Sequence, residues 1–200
     1  MIKNIIFDFG DIFINLDKPA TAREMEKFGY LETTPELTSI FDSYEKGLLT
    51  SNEFLNLTNT IFPKATKQEL INAWNAILLD FPDYRLEFLE SLVQENDYRM
   101  FLLSNTNDIH IEFVKEYMGK EKYNRFKECF EVFHLSYEMN MRKPEAEIYQ
   151  FVLDESNLDP AETFFVDDTK ENTDSASKLG IKVWNLRVGI EDITDIKSKL

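Results

Sequence analysis

Five short apolar runs, and above all their spacing, constrain the fold of this chain more than any other feature. Each run is rich in aromatic or β-branched residues and has the length of a buried strand. Helical patterns of about the length that a right-handed crossover needs separate the later runs. We therefore predict an α/β fold, with a parallel sheet covered by helices on both faces. The runs cover residues 2–9, 98–103, 129–135, 163–166 and 181–186.

The gap between the first two runs has a different origin, because its roughly ninety residues are several times the length of a crossover helix. Its sequence has helical patterns, with an N-cap at Ser51 and a capping box that begins at Thr66. We predict that residues 16–82 form a small α-helical cap, inserted into a core of residues 1–15 and 83–200. The predicted helices cover residues 21–28, 35–46, 52–61 and 67–79 in the cap, and 84–95 after an Asp83 cap.

Charge and composition limit the partners that the chain can bind. A formal net charge of -15 argues against nucleic acids and anionic membranes, because surfaces that bind them need clustered Lys and Arg. The single cysteine, Cys129, cannot form an intramolecular disulfide, and the N-terminal MIKNIIFDFG lacks the pattern of a signal peptide. Because no apolar run approaches the roughly eighteen residues of a membrane-spanning helix, we expect a soluble, cytoplasmic protein.

Polar residues stand where the predicted strands end. The first run ends at Asp8, Ser104 follows the second, Lys143 follows the third, and Asp167 and Asp168 follow the fourth. Because ligands of an open parallel sheet bind outside the carboxyl ends of its strands, we expect these side chains to meet. Together they supply a carboxylate nucleophile, a hydroxyl for phosphate oxygens, a cation and acidic ligands for a hard metal ion. Each alone also has an ordinary reading as a cap, turn or surface residue.

Four motifs occur in the order FDFGD, LLSN, RKP and VDDTKEN, and over nearly the whole chain they resemble the haloacid dehalogenase-like phosphohydrolase superfamily. The wider strings LLSNTN, MRKPEAEIYQ and FFVDDTKENTDSA are most similar to a branch with a small helical cap that includes phosphatases of α-glucose 1-phosphate. The resemblance implies a Rossmann-like core and Mg²⁺ as the cofactor. It also implies that a small phosphorylated metabolite, such as glucose 1-phosphate, is hydrolysed through an aspartyl-phosphate.

The resemblance also assigns roles around the metal ion. Asp8 would be both the nucleophile and a magnesium ligand, since its two oxygens can serve separately. Asp168 would be the second carboxylate ligand, and the carbonyl of Gly10 a backbone ligand. Asp167 and Asn172 would orient metal-bound water.

For the transferred phosphoryl group, the resemblance implies three partners. Ser104 and the amide of Asn105 would bind its oxygens, and Lys143 would offset the charge that spreads over them. His110, three residues after the LLSNTN string, could reach a substrate hydroxyl, although a surface or helix-packing role is the simpler interpretation.

One position departs from the family pattern, in which phosphatases usually carry a second Asp two residues after the nucleophile. That Asp protonates the leaving group, and here its place is taken by Gly10. General acid-base catalysis contributes about 10²- to 10⁴-fold to the rate, so its absence should slow the hydrolysis of ordinary alkyl phosphates unless something compensates for it. Asp11 could take the role, a cap residue could supply the proton, or the substrate could have a good leaving group, as an anomeric sugar phosphate does.

Two other functions remain open at this stage. A sugar phosphomutase would use the same aspartyl-phosphate but return the group to a hydroxyl. A non-catalytic protein would keep the phosphate pocket and sense a metabolite, which Gly10 would permit. Dehalogenation of carbon is disfavoured, because that chemistry needs no metal and leaves Asp167 and Asp168 unexplained. The sequence is compatible with either a monomer or a homodimer.

Overall fold

The sheet consists of five strands, β1 (Asn4–Phe7), β2 (Arg99–Ser104), β3 (Val132–Leu135), β4 (Thr163–Asp167) and β5 (Lys182–Asn185). Their order is β3-β2-β1-β4-β5, and every neighbouring pair is parallel. The structure is a computed structural model that describes all 200 residues. It confirms the predicted α/β fold, in which a Rossmann-like parallel sheet has helices on both faces.

The first and third strands differ most from the apolar runs that predicted them. Ile2 and Phe9 lie in the core but outside the ladder of β1, so burial extends beyond the strand. The third run was wrong at its start, because Cys129 follows a helix and β3 begins only at Val132. Its apolar residues belong first to a buried helix end and then to the strand, and hydrophobicity alone does not separate the two.

Alternate residues of β1 point to opposite faces of the sheet, as the pleat requires. Ile5 and Phe7 belong to an apolar cluster of 27 buried residues, whereas Ile6 belongs to one of 11 buried residues on the other face. The core helices that pack on these faces are α5 (Asp83–Glu95), α6 (Asp108–Met118), α7 (Lys120–Glu128), α8 (Ser136–Met139), α9 (Ala146–Glu155) and α10 (Lys170–Ser177). Three short 3₁₀ segments cover Glu26–Phe28, Pro160–Glu162 and Ile193–Ser198.

Four helices lie between β1 and α5, and they share an apolar cluster of ten buried residues of their own. The chain enters and leaves this unit side by side: the N–H of Asp17 donates to the carbonyl of Ile77, and the N–H of Leu79 donates to that of Asn15, both at 2.9 Å. The predicted boundaries at residues 16 and 82 lie next to this paired segment and stay predictions. The four helices are α1 (Ala20–Met25), α2 (Pro35–Glu45), α3 (Ser51–Ile61) and α4 (Lys67–Asn75).

The helix ends confirm one of the three predicted capping signals and correct the other two. The capping box from Thr66 is present, which confirms that prediction. The N-cap of α3 is Thr50 and not Ser51, because Glu53 stands three residues after Thr50 and completes a capping box with it. Asp83 does not cap α5 but lies in its first turn, after Pro82.

None of the helices combines the length and the apolar character that a membrane-spanning helix requires.

Candidate active site

Three carboxylates meet at the carboxyl ends of β1 and β4. These strands pair in register, so Asp8, the residue after β1, lies beside Asp167, the last residue of β4. The N–H of Asp8 donates to the carbonyl of Val166 at 3.0 Å and continues the ladder. One oxygen from each of Asp8, Asp167 and Asp168 lies within 4.8 Å of the others. Because Mg²⁺ prefers hard oxygen donors of this kind, these residues fit a magnesium ion.

A buried lysine joins two of the carboxylates. The Nζ of Lys143 donates to Asp8 Oδ1 at 2.6 Å and to Asp167 Oδ2 at 2.7 Å, and the side chain is 1% exposed. Asn105 holds the backbone at this point: its Nδ2 donates to the carbonyl of Lys143 at 2.8 Å, and its Oδ1 accepts from the N–H of Lys143 at 2.9 Å. The loops after β2 and β3 are therefore tied together beneath the carboxylates.

The electrostatics of this cluster favour an additional cation. Burial raises the pKa of Asp8 to about 7; Lys143 opposes the rise, and Asp167 and Asp168 add to it. Burial alone would lower the pKa of Lys143, but the two bonded carboxylates outweigh it and the pKa is raised. The pKa of Asp168 is also raised by burial, against the ion pair with Lys18. The three carboxylates carry more negative charge than Lys143 and Lys18 offset, and a divalent cation would reduce the remaining repulsion.

The other predicted residues lie around the same cluster. The Nδ2 of Asn172 donates to both oxygens of Asp167, at 3.0 and 3.1 Å, and the N–H of Thr169 donates to one of them at 2.8 Å. Asn172 therefore fixes the orientation of Asp167. Ser104 is the buried last residue of β2, next to β1. Its contact with phosphate stays a prediction, as do the amide contact of Asn105 and the metal contact of the Gly10 carbonyl.

The place of the missing second Asp is filled by an apolar side chain. A Cβ added at Gly10 would lie 2.8 Å from Cδ1 of Leu16 and 3.9 Å from Asp8 Oδ2. The carboxylate of Asp11 is engaged elsewhere: Oδ1 accepts from the N–H of Leu16 at 3.0 Å, and Oδ2 lies 3.2 Å from Nζ of Lys18. Nothing in this arrangement favours the predicted transfer of the acid-base role to Asp11.

Two neighbouring cavities extend from the carboxylates to the cap. The first, of about 380 Å³, is lined by Asp8, Lys143 and Leu16, among other residues. The second, of about 230 Å³, lies among the cap helices. Lys18 lines both, so a molecule whose phosphate meets Asp8 would extend past Lys18 towards the cap. The cap cavity is lined by Lys18, Thr21, Ala22, Met25, Tyr30, Thr33, Phe41, Glu45, Phe62, Trp74, Ile77 and His110.

His110 lines the cap cavity, but its ring is held from both sides. Its imidazole stacks on Trp74 with the ring centroids 5.3 Å apart. The Nδ2 of Asn107 donates to Nδ1 at 3.2 Å, and with that assignment Nε2 donates to the carbonyl of Trp74 at 3.1 Å. Burial lowers the pKa of His110 to about 4, so the ring is neutral near pH 7. The structure therefore favours the packing interpretation of this residue.

Sequence reasoning missed three charged residues of the cleft, Lys18, Glu45 and Arg142. Arg142 Nη2 donates to Glu45 Oε2 at 2.8 Å, and its Nη1 lies 3.0 Å from Oδ1 of Asp42. Arg142 precedes Lys143 in the RKP string, which was a signal for it. Lys18 lies in the segment before α1 and Glu45 lies on α2, so both enter the site only through the folding of the cap, and neither lies in a motif.

Comparisons with known proteins agree on one family. A model described as haloacid dehalogenase-like hydrolase matches residues 2–180. The chain is 28% identical over 197 residues to D-ribitol-5-phosphate phosphatase of Bacteroides thetaiotaomicron, a match that covers 96% of this chain and 95% of that protein.

Solved structures extend the likeness to the whole molecule. A family enzyme from Bacteroides thetaiotaomicron, in complex with magnesium and inorganic phosphate, is 37% identical, with a TM-score of 0.82 over 96% of this chain and 97% of that one. A HAD-like hydrolase from Porphyromonas gingivalis is 27% identical, with a TM-score of 0.85 over 100% of this chain and 98% of that one. The coverage includes the cap as well as the core. The specific resemblance to glucose 1-phosphate phosphatases stays a prediction.

Proposed function

The chain belongs to the haloacid dehalogenase-like hydrolase family as a magnesium-dependent phosphatase, and from this premise we propose that it hydrolyses a small sugar or sugar-alcohol phosphate through Asp8. The observation that carries the proposal is the cluster of Asp8, Asp167 and Asp168 oxygens within 4.8 Å of one another, with the buried Lys143 in contact with two of them. A nucleophile, a cation and metal ligands are thereby present at one point.

Catalysis begins with an oxygen of Asp8 attacking phosphorus, while the bond from phosphorus to the substrate oxygen breaks; that oxygen leaves with the bonding electron pair and takes up a proton from solvent water. Lys143 holds Asp8 Oδ1, which fixes the carboxylate for this attack and offsets charge on the phosphoryl oxygens. Water then attacks the aspartyl-phosphate, releases inorganic phosphate and restores Asp8. Magnesium, held by Asp8 and Asp168 with the carbonyl of Gly10, would supply further positive charge to the phosphoryl oxygens.

The organic part of the substrate would occupy the cap cavity. Its volume of about 230 Å³ suits a short polyol or a single sugar ring. Lys18 and Glu45 offer a cation and a carboxylate for hydroxyl groups, and Trp74 offers an apolar face. The relative named D-ribitol-5-phosphate phosphatase supports a sugar-alcohol phosphate, and the good leaving group of glucose 1-phosphate suits a site without an acid at Gly10.

The proposal is tested by phosphate release from ribitol 5-phosphate, glucose 1-phosphate, glucose 6-phosphate, a nucleotide and an acyl phosphate, with magnesium or with EDTA. We expect release from wild type only with magnesium, and none above background from Asp8→Asn. Asp97→Asn is the matched control, because Asp97 is exposed at the opposite end of the sheet, just before β2. Equal release by wild type and Asp8→Asn would refute the proposed nucleophile. Similar rates on glucose 1-phosphate and glucose 6-phosphate would remove the leaving-group argument.

Leu16 in the place of the second Asp favours one alternative, a protein that binds a phosphorylated metabolite without turnover. Calorimetry with the same compounds and magnesium distinguishes it from the phosphatase. Tight binding without any release of phosphate would favour the binding protein. Appearance of an isomeric phosphate ester instead of inorganic phosphate would identify a mutase.

A further inference from the structure

Two hydroxyl groups of the cap bind a carboxylate of the core. Tyr44 on α2 and Ser51 on α3 each donate to Asp108, one to Oδ1 and the other to Oδ2. Their two hydroxyls lie 2.9 Å apart, and the N–H of Ile109 donates to the hydroxyl of Tyr44 at 3.4 Å. We call Tyr44, Ser51 and Asp108 the hydroxyl latch.

The latch is anchored firmly on the cap side. The ring of Tyr44 is 1% exposed and stacks on Phe54 with the centroids 4.1 Å apart and the planes 11° apart. The hydroxyl is therefore fixed by the packing of the cap cluster before it meets the core. Burial raises the pKa of Tyr44, so the group stays a donor over the ordinary pH range.

On the core side, the latch holds the loop proposed to bind phosphate. Asp108 is the first residue of α6, and residues 105–107 connect it to Ser104, the last residue of β2. A third cap side chain acts on the same loop, because Nε1 of Trp74 donates to Oδ1 of Asn107 at 3.2 Å. Side chains of the cap thus donate hydrogen bonds to two consecutive residues, Asn107 and Asp108, at the end of the loop.

The contact continues towards the nucleophile. Ser136 Oγ accepts from the N–H of Thr106 at 2.9 Å and lies 2.7 Å from the carbonyl of Glu45, to which it can donate. The side chain of Asn105 is bonded to the backbone of Lys143, whose Nζ contacts Asp8. A displacement at Asp108 would therefore reach the phosphate-binding loop and Lys143 through bonded neighbours.

We propose that Tyr44, Ser51 and Asp108 are positioning residues, which hold the 105–107 loop and the adjoining Ser104 in the geometry that binds the phosphoryl group. The proposal rests on the proposed function, which assigns phosphate binding to that loop. It differs from a simple cap-to-core attachment, because the latch carboxylate belongs to the loop's own helix. A phosphate-binding loop misplaced by about 1 Å can lower a rate about 10²-fold, so single hydroxyls matter here.

The test compares Tyr44→Phe with Tyr84→Phe. Each variant removes one tyrosine hydroxyl that donates to an aspartate, but the bond from Tyr84 to Asp192 lies outside the cap contact. We expect Tyr44→Phe to lower kcat about tenfold and to raise the Kd of inorganic phosphate, measured by calorimetry with magnesium at 20 °C, about threefold or more. Tyr84→Phe should leave both values within about twofold of wild type.

Further variants keep the result clear if Tyr44→Phe folds poorly. Ser51→Ala should act in the same direction, and Asp108→Asn should retain part of the function, because its amide oxygen still accepts a hydroxyl. In an Asp108→Ala background, Tyr44→Phe should add little, since both act through one carboxylate. A lower Tm with unchanged kcat and unchanged phosphate Kd would overturn the proposal in favour of a purely structural latch.

The phosphate measurement separates this inference from the proposed function. Inorganic phosphate binds without turnover, so its Kd reports on the loop even if no compound in the panel is hydrolysed. A wild type that binds phosphate but hydrolyses nothing would refute the phosphatase and leave the latch testable. If Tyr44→Phe and Ser51→Ala both bind phosphate as wild type does, the positioning role is refuted.

Discussion

The carboxyl end of the sheet and the helical cap enclose the same cleft, but they are built from opposite kinds of side chain. Around β1 and β4 the buried groups are charged: Asp8, Asp167 and Lys143 are each no more than 8% exposed. In the cap the main buried cluster is apolar and aromatic, with Tyr44 and Phe54 stacked within it. The structure of the sheet end therefore depends on the balance of buried charges, whereas the structure of the cap depends on the packing of apolar side chains.

This difference determines how each region tolerates change. Buried charges must keep their partners, because an uncompensated charge in a low-dielectric interior is costly. Packed apolar side chains tolerate exchange for apolar residues of similar volume more easily. The cleft therefore combines an electrostatically fixed reaction centre with a pocket whose shape is set by apolar packing.

Removal of the buried cation is the strongest test of charge balance. Lys143→Met leaves Asp8 and Asp167 without their shared donor, so we expect loss of phosphate release and a fall of about 3–5 kcal/mol in the free energy of unfolding. Urea unfolding at pH 7 measures the change in the free energy of unfolding. Lys170→Met is the control, because Lys170 forms an exposed ion pair with Asp174 on α10. A stable Lys143→Met protein would show that the site does not need this cation to fold.

The half-buried ring of His110 gives the free energy of unfolding a pH dependence. Its pKa is about 4 in the folded protein and near 6.5 in the unfolded chain, so between these values the unfolded chain binds the extra proton. The stability from the neutral ring is complete above about pH 6.5 and is lost as the pH falls towards 4, by up to about 3 kcal/mol. Unfolding of wild type and His110→Gln at pH 7.5 and 5 checks this. Equal pH dependence of the two proteins would contradict it.

The sequence reveals the sheet end better than the cap for a physical reason. Parallel strands place their carboxyl ends at one edge, so Asp8, Asp167 and Lys143 could be brought together from motif order alone. Lys18, in the segment before α1, and Glu45, on α2, reach the cleft only because the cap packs against the core, which no local pattern encodes. Leu16 was missed as well, since the loss of an acid at Gly10 is visible in the sequence but the side chain that fills its place is not.

Restoring an acid at position 10 tests whether Leu16 closes that place. A Cβ at Gly10 would lie 2.8 Å from Leu16 Cδ1, a side-chain end that can move, so we expect Gly10→Asp to cost about 1 kcal/mol. Gly10→Asp combined with Leu16→Ala should relieve the contact and raise the rate on an alkyl phosphate by about 10²-fold. Glucose 1-phosphate should gain less, because its leaving oxygen needs less protonation. The paired variant is compared with Leu16→Ala alone, and equal rates would show that the acid is not what limits turnover.

The smallest expected effect concerns the start of α3, where Thr50 and not Ser51 caps the helix. Thr50→Ala removes the hydroxyl that accepts from the N–H of Glu53 at 3.3 Å and donates to Glu53 Oε2 at 2.7 Å, while the backbone N–H of residue 50 still donates to that carboxylate. We expect a loss of about 1 kcal/mol in the free energy of unfolding. Thr60→Ala on the same helix is the control, because its exposed hydroxyl donates only to the carbonyl of Asn56 one turn earlier, and its removal should change stability by less than about 0.5 kcal/mol. Neither substitution touches Asp108, so phosphate affinity should stay as in wild type. If Thr50→Ala weakened phosphate binding, the position of α3 would contribute to the geometry of the loop, in addition to the hydroxyl of Ser51. The cap would then be coupled to the charged end of the sheet more strongly than its separate apolar cluster indicates.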